Sequence, residues 1–313
     1  MGTIGNVFSI LIFTRKSLWR SCSMYFLASA INNFPVLYFG AITRMLADGY
    51  ALDPTRYSLP YCRFRNYFSY ATYNLSPYWS MWATIDRFCS SSANPRYRQF
   101  SQLKVAYVLI PSTILVSGGG FLHTLVFFQI QNGSCKAQSG LYAQFFGIFT
   151  LCFYFLPVLL IFIFGLLTIF NVIQQHQRIQ PIQMYGTRSA KQIEGQLLKM
   201  LLVHLAVYCL LAMPYNVLLA IVAAYTTPST LFLFIQNLSR ILLNASYSVD
   251  FYIYTLSARL YRKELLKLLQ HVFGPNLIRI QERTVASTSK ANRTYSRSPA
   301  RIKELVPDNN GTK

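Results

Sequence analysis

Acid is scarce in this chain. Asp and Glu number 9 in 313 residues, against 29 Lys and Arg, and charged residues of both signs make up only 12%. A soluble domain carries about 25%, so an ordinary water-soluble globule is excluded. Histidine is also sparse. His123, His176, His204 and His271 are scattered, and none stands in an HExxH or a Ser/His/Asp arrangement. The chain therefore offers no hydrolytic constellation and is read as no enzyme. The 6 cysteines form no CxxC pair and no Cys/His cluster, which leaves no case for a metal or another cofactor. No internal repeat appears, whereas transporters and channels often show one. The amino end lacks the basic start and cleavage site of a signal peptide.

Apolar residues fill the space that charge leaves. They make up 53% of the chain, with 24 Phe and 22 Tyr, side chains suited to the headgroup level of a bilayer. Long apolar segments run near 24–46, 66–85, 105–130, 141–173, 197–225 and 231–256. Each reaches the ~20 residues that cross a hydrocarbon core. The net charge of +20 sits at their rims. If Arg87 faces the cytosol, so do Arg15, Lys16, Arg20, Arg98, Lys191 and the basic tail. The other side keeps Arg44, Arg56, Arg63, Arg65, Lys136 and Arg240. That is the positive-inside bias of a membrane protein. A nucleic-acid-binding protein would gather its charge on one soluble face, so no nucleic-acid partner is expected.

Residues 62–88 read CRFRNYFSYATYNLSPYWSMWATIDRF. Between the opening cysteine and the closing acid–arginine pair, no charge occurs from Asn66 to Ile85. As a helix the stretch covers about 37 Å at ~1.5 Å per residue, enough to put its ends in different compartments. Taken alone, it is a spanning helix whose two ends need not be related. With the spacing included, it resembles the third helix of rhodopsin-like G-protein-coupled receptors. Asp86-Arg87-Phe88 stands at that family's Asp-Arg-Tyr or Asp-Arg-Phe triplet, and Cys62 stands at the usual distance before it.

The resemblance extends from residue 5 to about 272. Gly5-Asn6 is similar to the pair in the middle of the family's first helix, and MYFLASAINNF opens like the second, with Asn33 where an aspartate is usual. Pro157 marks the fifth helix. Pro214-Tyr215 marks the sixth, with Ala212 in place of a Trp, and Pro214 there makes either a hinge or a static kink. Asp250-Phe251-Tyr252-Ile253-Tyr254 is similar to Asn/Asp-Pro-x-x-Tyr with Phe251 replacing the proline. Beyond it, Leu265, Leu268, Leu269 and Val272 fall opposite Arg259, Lys263 and Lys267, the pattern of an interfacial amphipathic helix. Only five residues precede Asn6, so the outer half of the first helix is expected to be missing.

These features imply an all-α membrane protein: a seven-helix bundle with an incomplete first helix and a short amphipathic helix on the inner leaflet. Residues 1–273 would form the receptor domain and 274–313 a disordered basic cytoplasmic tail. The implied role is that of a divergent, peptide-receptor-like member in the plasma membrane, meeting an extracellular ligand, a heterotrimeric G protein, arrestin and lipid. A transporter or channel, or a receptor-like protein that no longer signals, is the alternative. A lysine for retinal is absent, and Asn244 stands where opsins carry it.

The resemblance also implies site residues. Cys62 would pair with Cys135 of the second outer loop. Asn132 in Asn132-Gly133-Ser134 would accept a glycan. Asp86, Arg87, Phe88, Glu194 and Tyr254 would form the G-protein switch, with Glu194 either clamping Arg87 or facing solvent beside Lys191. Asn6, Asn33, Ser76 and Asp250 would gather as a polar network around water, or sodium. Arg44, Ser69, Tyr73, Tyr215, Arg240 and Asn244 would line the ligand cavity. Arg44 and Arg240 would anchor an acidic group, and for Arg44 snorkelling to headgroups is the alternative. Ser69 replaces the acid of amine receptors, which argues against a cationic amine ligand.

Overall fold

The computed structural model describes residues 1–178, 185–224 and 229–273. In chain order the helices are α1 (Gly2–Phe13), α2 (Ser21–Pro35), a π-helical segment (Val36–Ile42), α3 (Thr43–Tyr50), α4 (Leu59–Ser91) and the single turn α5 (Pro95–Arg98). They continue with α6 (Leu103–Phe121), the turn α7 (Thr124–Phe127), α8 (Leu141–Arg178), α9 (Tyr185–Ala224), α10 (Thr230–Ser257) and α11 (Arg259–Phe273). Ser21–Tyr50 is one helical run, and so is Leu103–Phe127. Seven main helical runs result among the described residues, the first of them only 12 residues long. A body of Met1–Glu264 is followed by a second unit from Leu265, within which α11 ends. The tail from 274 lies outside the described residues.

Four helical runs are long and apolar enough to cross a membrane by composition: Ser21–Tyr50, Leu103–Phe127, Leu141–Gln174 and Lys199–Leu219. The central helix α4 fails that test for a physical reason. Residues 74–81 are buried without interruption, so this part of the helix has protein on every side and needs no apolar face toward lipid. It packs against α2, α6, α8 and α9. The outer helices show the reverse pattern. On α8, Leu159, Phe162, Ile163, Leu166, Phe170 and Ile173 are all exposed at helical spacing, a stripe too large for a soluble surface and suited to acyl chains.

Close backbone approach fixes α1 against α10. A Cβ on Gly5 would lie 2.9 Å from Cβ of Phe251, while Phe8 stacks on the same ring at 5.7 Å. Gly5→Val should therefore push α1 off α10 and cost about 1–3 kcal/mol. A thermal-shift assay on the detergent-solubilised protein checks this, and an unchanged midpoint would refute the packing.

The only strands among the described residues are β1 (Phe128–Gln131) and β2 (Ser134–Ala137), an antiparallel hairpin with Ile130 opposite Cys135. Its turn is Asn132-Gly133, both at positive φ (50° and 67°), the backbone that the Asn-Gly dipeptide favours. Asn132 is exposed at the tip. The loop before α4 is pinned by Asp53, which accepts from the Thr55 hydroxyl and N–H at 2.6 and 3.1 Å. Burial raises the Asp53 pKa, but those two bonds outweigh it and hold the carboxyl below its ordinary value.

Candidate functional site

At the outer end, Cys62 and Cys135 are bridged, with Cα atoms 5.7 Å apart. The bridge ties β2 to the first turn of α4. Around it Phe121, Phe128 and Phe146 are buried, and Tyr70 meets Phe146 edge-on at 5.0 Å. The hairpin thus roofs the bundle on an aromatic layer.

Beneath that roof the structure brings together four of the six expected cavity residues. Tyr73 donates to Asn244 Oδ1 at 2.8 Å, and the Tyr247 hydroxyl donates to the Tyr73 carbonyl at 2.7 Å. The Arg240 guanidinium lies over the Tyr215 ring, 5.5 Å from its centroid. Gly40 makes room for Tyr73, whose hydroxyl is 2.6 Å from where a Cβ would stand. Ser69 lies one turn outward of Tyr73 on α4 and makes no side-chain hydrogen bond among the described residues.

Arg44 stands at the edge of this group, on the same carboxylate as Arg240. Its side chain is 36% exposed and bound to Asp48 at 2.8 Å. Arg240 is more enclosed, at 20%, and lies 3.6 Å from the same carboxylate. A π segment, Val36–Ile42, follows Pro35, which cannot donate a backbone hydrogen bond. Wider π turns rotate the residues beyond them by about 100°, the angle of one helical residue. Asp48, missed in the sequence, is thereby set between two arginines. Arg240 Nη1 is buried and donates to no acceptor within hydrogen-bond distance, Asp48 Oδ2 standing at 3.6 Å.

The middle of the bundle holds a buried polar chain. Asn33 Nδ2 donates to Asn6 Oδ1 and to Asp250 Oδ2, both at 3.0 Å. Ser76 donates to Asn33 Oδ1 at 3.4 Å, and Asn32 donates to Ser76 at 3.2 Å. Asn6 reaches the Tyr247 carbonyl at 3.3 Å. All four expected members are joined. Three further members, Asn32, His204 and Ser80, come from residues that sequence reasoning passed over. His204 on α9 places Nδ1 3.2 Å from Asp250 Oδ1, and its Nε2 lies 3.2 Å from Ser80 Oγ on α4. Its ring also stacks on Tyr254 at 6.0 Å. The only sequence signal was a histidine ten residues before Pro214 inside an otherwise apolar span.

At the cytoplasmic end Arg87 Nη2 is 2.5 Å from Asp86 Oδ2, with both side chains buried. Phe88 packs on Phe164 at 5.4 Å. Tyr254 is enclosed by Phe13, Phe26 and Tyr261, and Tyr261 shares a hydrogen bond with Ser9 at 2.9 Å. The clamp from Glu194 falls on a side chain outside the described residues.

Seven membrane helices packed around a polar-cored central helix, with a bridged outer loop and a buried acid–arginine pair at the inner end, define a heptahelical receptor. Residues 1–269 match the family of the serpentine type 7TM GPCR chemoreceptor Srsx, and the chain belongs to it. It is accordingly a multi-pass membrane protein and a receptor, not an enzyme. No curated protein matches the chain.

Proposed function

We propose that the protein carries an extracellular chemical signal to a heterotrimeric G protein, and that its ligand bears an acidic group. The supporting observation for the ligand is Arg240. A buried guanidinium nitrogen whose nearest carboxylate oxygen stands at 3.6 Å is under-satisfied, and an incoming carboxylate would complete it by a forked pair of hydrogen bonds. Asp48 holds the site in the meantime. Tyr73, Tyr215, Asn244 and Ser69 complete the cavity wall, and a peptide with a free carboxyl terminus is the ligand type that the rhodopsin-like resemblance favours. Asp86, Arg87, Phe88, Glu194 and Tyr254 form the coupling end, where arrestin would also dock. Asn132 is the glycan acceptor, the plasma membrane is the site of action, and residues 274–313 form the cytoplasmic tail.

A G-protein activation assay in cells, screened with small carboxylic acids and free-acid peptides beside their amides, tests the reading. The acid should be the active member of each pair. Arg240→Gln should cost about tenfold or more in potency, the worth of one charge-assisted contact. Asp48→Asn should act in the opposite direction by removing the internal competitor. Equal potency of acid and amide would sink the acidic-ligand reading. Basal and ligand-driven silence with every G protein would favour the non-signalling alternative.

A further inference from the structure

Arg87 borders an open cavity of about 450 Å³ that none of the roles above uses. It lies between the α1–α2 turn and the α4–α6 loop. Arg20, Arg98 and Arg87 line it, with Ser21, Trp19 and Leu103, and no acidic residue does. Arg20 and Arg98 make no ion pair among the described residues.

Backbone polarity points the same way. Two helices begin at this cavity: α2 at Ser21 and α6 at Leu103. Their N-caps, Arg20 and Gln102, both line it, and neither turns a side chain onto a first-turn N–H. Each of these helix starts presents free donors and partial positive charge. A ligand with several negative oxygens matches the two cationic side chains and both helix ends at once.

The surroundings decide the source of that ligand. Trp19 is half exposed at the rim, where an indole sits at headgroup level. Above Leu103, one turn along α6, Tyr107 and Val108 are exposed at 55% and 63%. They begin an apolar lane that leads outward from the cavity toward the acyl region. The basic rims place this end of the bundle in the cytosol, beside the anionic leaflet. We infer that this cavity binds the phosphorylated headgroup of an inner-leaflet phospholipid, with the acyl chains running along α6. The lipid would then lie against Arg87, the arginine of the coupling triplet.

The test uses the full chain in nanodiscs of phosphatidylcholine, with or without a small share of phosphatidylinositol bisphosphate. Lipid retained on the receptor is counted by native mass spectrometry. Wild type should keep the bisphosphate lipid. Arg20→Gln and Arg98→Gln, both outside the helix interior, should each lower its affinity about tenfold, one charge-assisted contact apiece. Arg56→Gln at the opposite end should leave it unchanged. Equal retention by wild type and the Arg20/Arg98 double variant would overturn the site. Binding of soluble inositol trisphosphate as tightly as the lipid would show a free-phosphate site and overturn the lipid assignment. So would tighter competition by a phosphopeptide of residues 284–298. Because lipid retention needs no agonist, failure here is distinguishable from failure of the ligand proposal.

Discussion

His204→Ala should be among the most damaging single changes in the bundle, and more damaging than the double change His204→Ala/Asp250→Asn. Asp250 is only 4% exposed. Its carboxylate accepts from Asn33 at 3.0 Å, and Nδ1 of His204 lies 3.2 Å from its other oxygen without forming an aligned hydrogen bond. Removing the imidazole leaves the acid with a single amide, and leaving a buried polar group short of partners costs about 1–3 kcal/mol. Converting Asp250 to Asn as well removes the charge that needed compensation, while the new amide oxygen still accepts from Asn33. The pair also joins α9 to α10, and Ser80 joins His204 to α4. A variant that keeps its fold but loses this join should show raised ligand-free signalling. Folded yield by fluorescence-detected size exclusion, with basal G-protein activation at matched surface expression, checks both statements. A single variant as stable as wild type would mean that the contact does not restrain the two helices.

How much of this was legible depends on the scale of the feature. The seven-helix order followed from the apolar spans and from the residues at both ends of α4, and the family match agrees with it. Asn6, Asn33, Ser76 and Asp250 were read as one network because each lies at a recognisable place on its own helix. His204 was not, because a lone histidine in an apolar span has no local signature. Its partner lies 46 residues later on another helix, and only packing brings them together. Asp48 was missed for a different reason. Counting residues outward from Asn33 assumes an unbroken α-helix, and the π segment Val36–Ile42 breaks that count. The hairpin was available in the sequence: Asn132-Gly133 is a strong two-residue turn signal, but it was read only as a glycosylation motif. The polarity of α4 also hides its burial, since composition reports contact with lipid, and this helix has little.

Cys62→Ser or Cys135→Ser should remove most correctly folded receptor from the cell surface. The bridge closes a loop of 73 residues in sequence, which includes all of α6 and most of α4. In the chain-entropy picture a loop of that size restrains the unfolded state by about 4 kcal/mol, and losses of 2–5 kcal/mol are typical when a native bridge is removed. Local packing adds to the effect here. Cys62 is fully buried against Phe121, Phe128 and Phe146, so a serine there brings an unpartnered hydroxyl into an aromatic layer. Cys135 is only half-buried, on the hairpin. Cys135→Ser should therefore be the milder of the two, and the difference separates packing from cross-linking. If the proposed acid site around Arg240, Tyr73 and Asn244 depends on the hairpin, surviving Cys135→Ser receptor should bind acid ligands more weakly with its basal signalling intact. Surface labelling measures the yield, and mapping of non-reduced peptides establishes the bridge in wild type. Equal yield of both variants and wild type, or free thiols at both positions in wild type, would contradict this account.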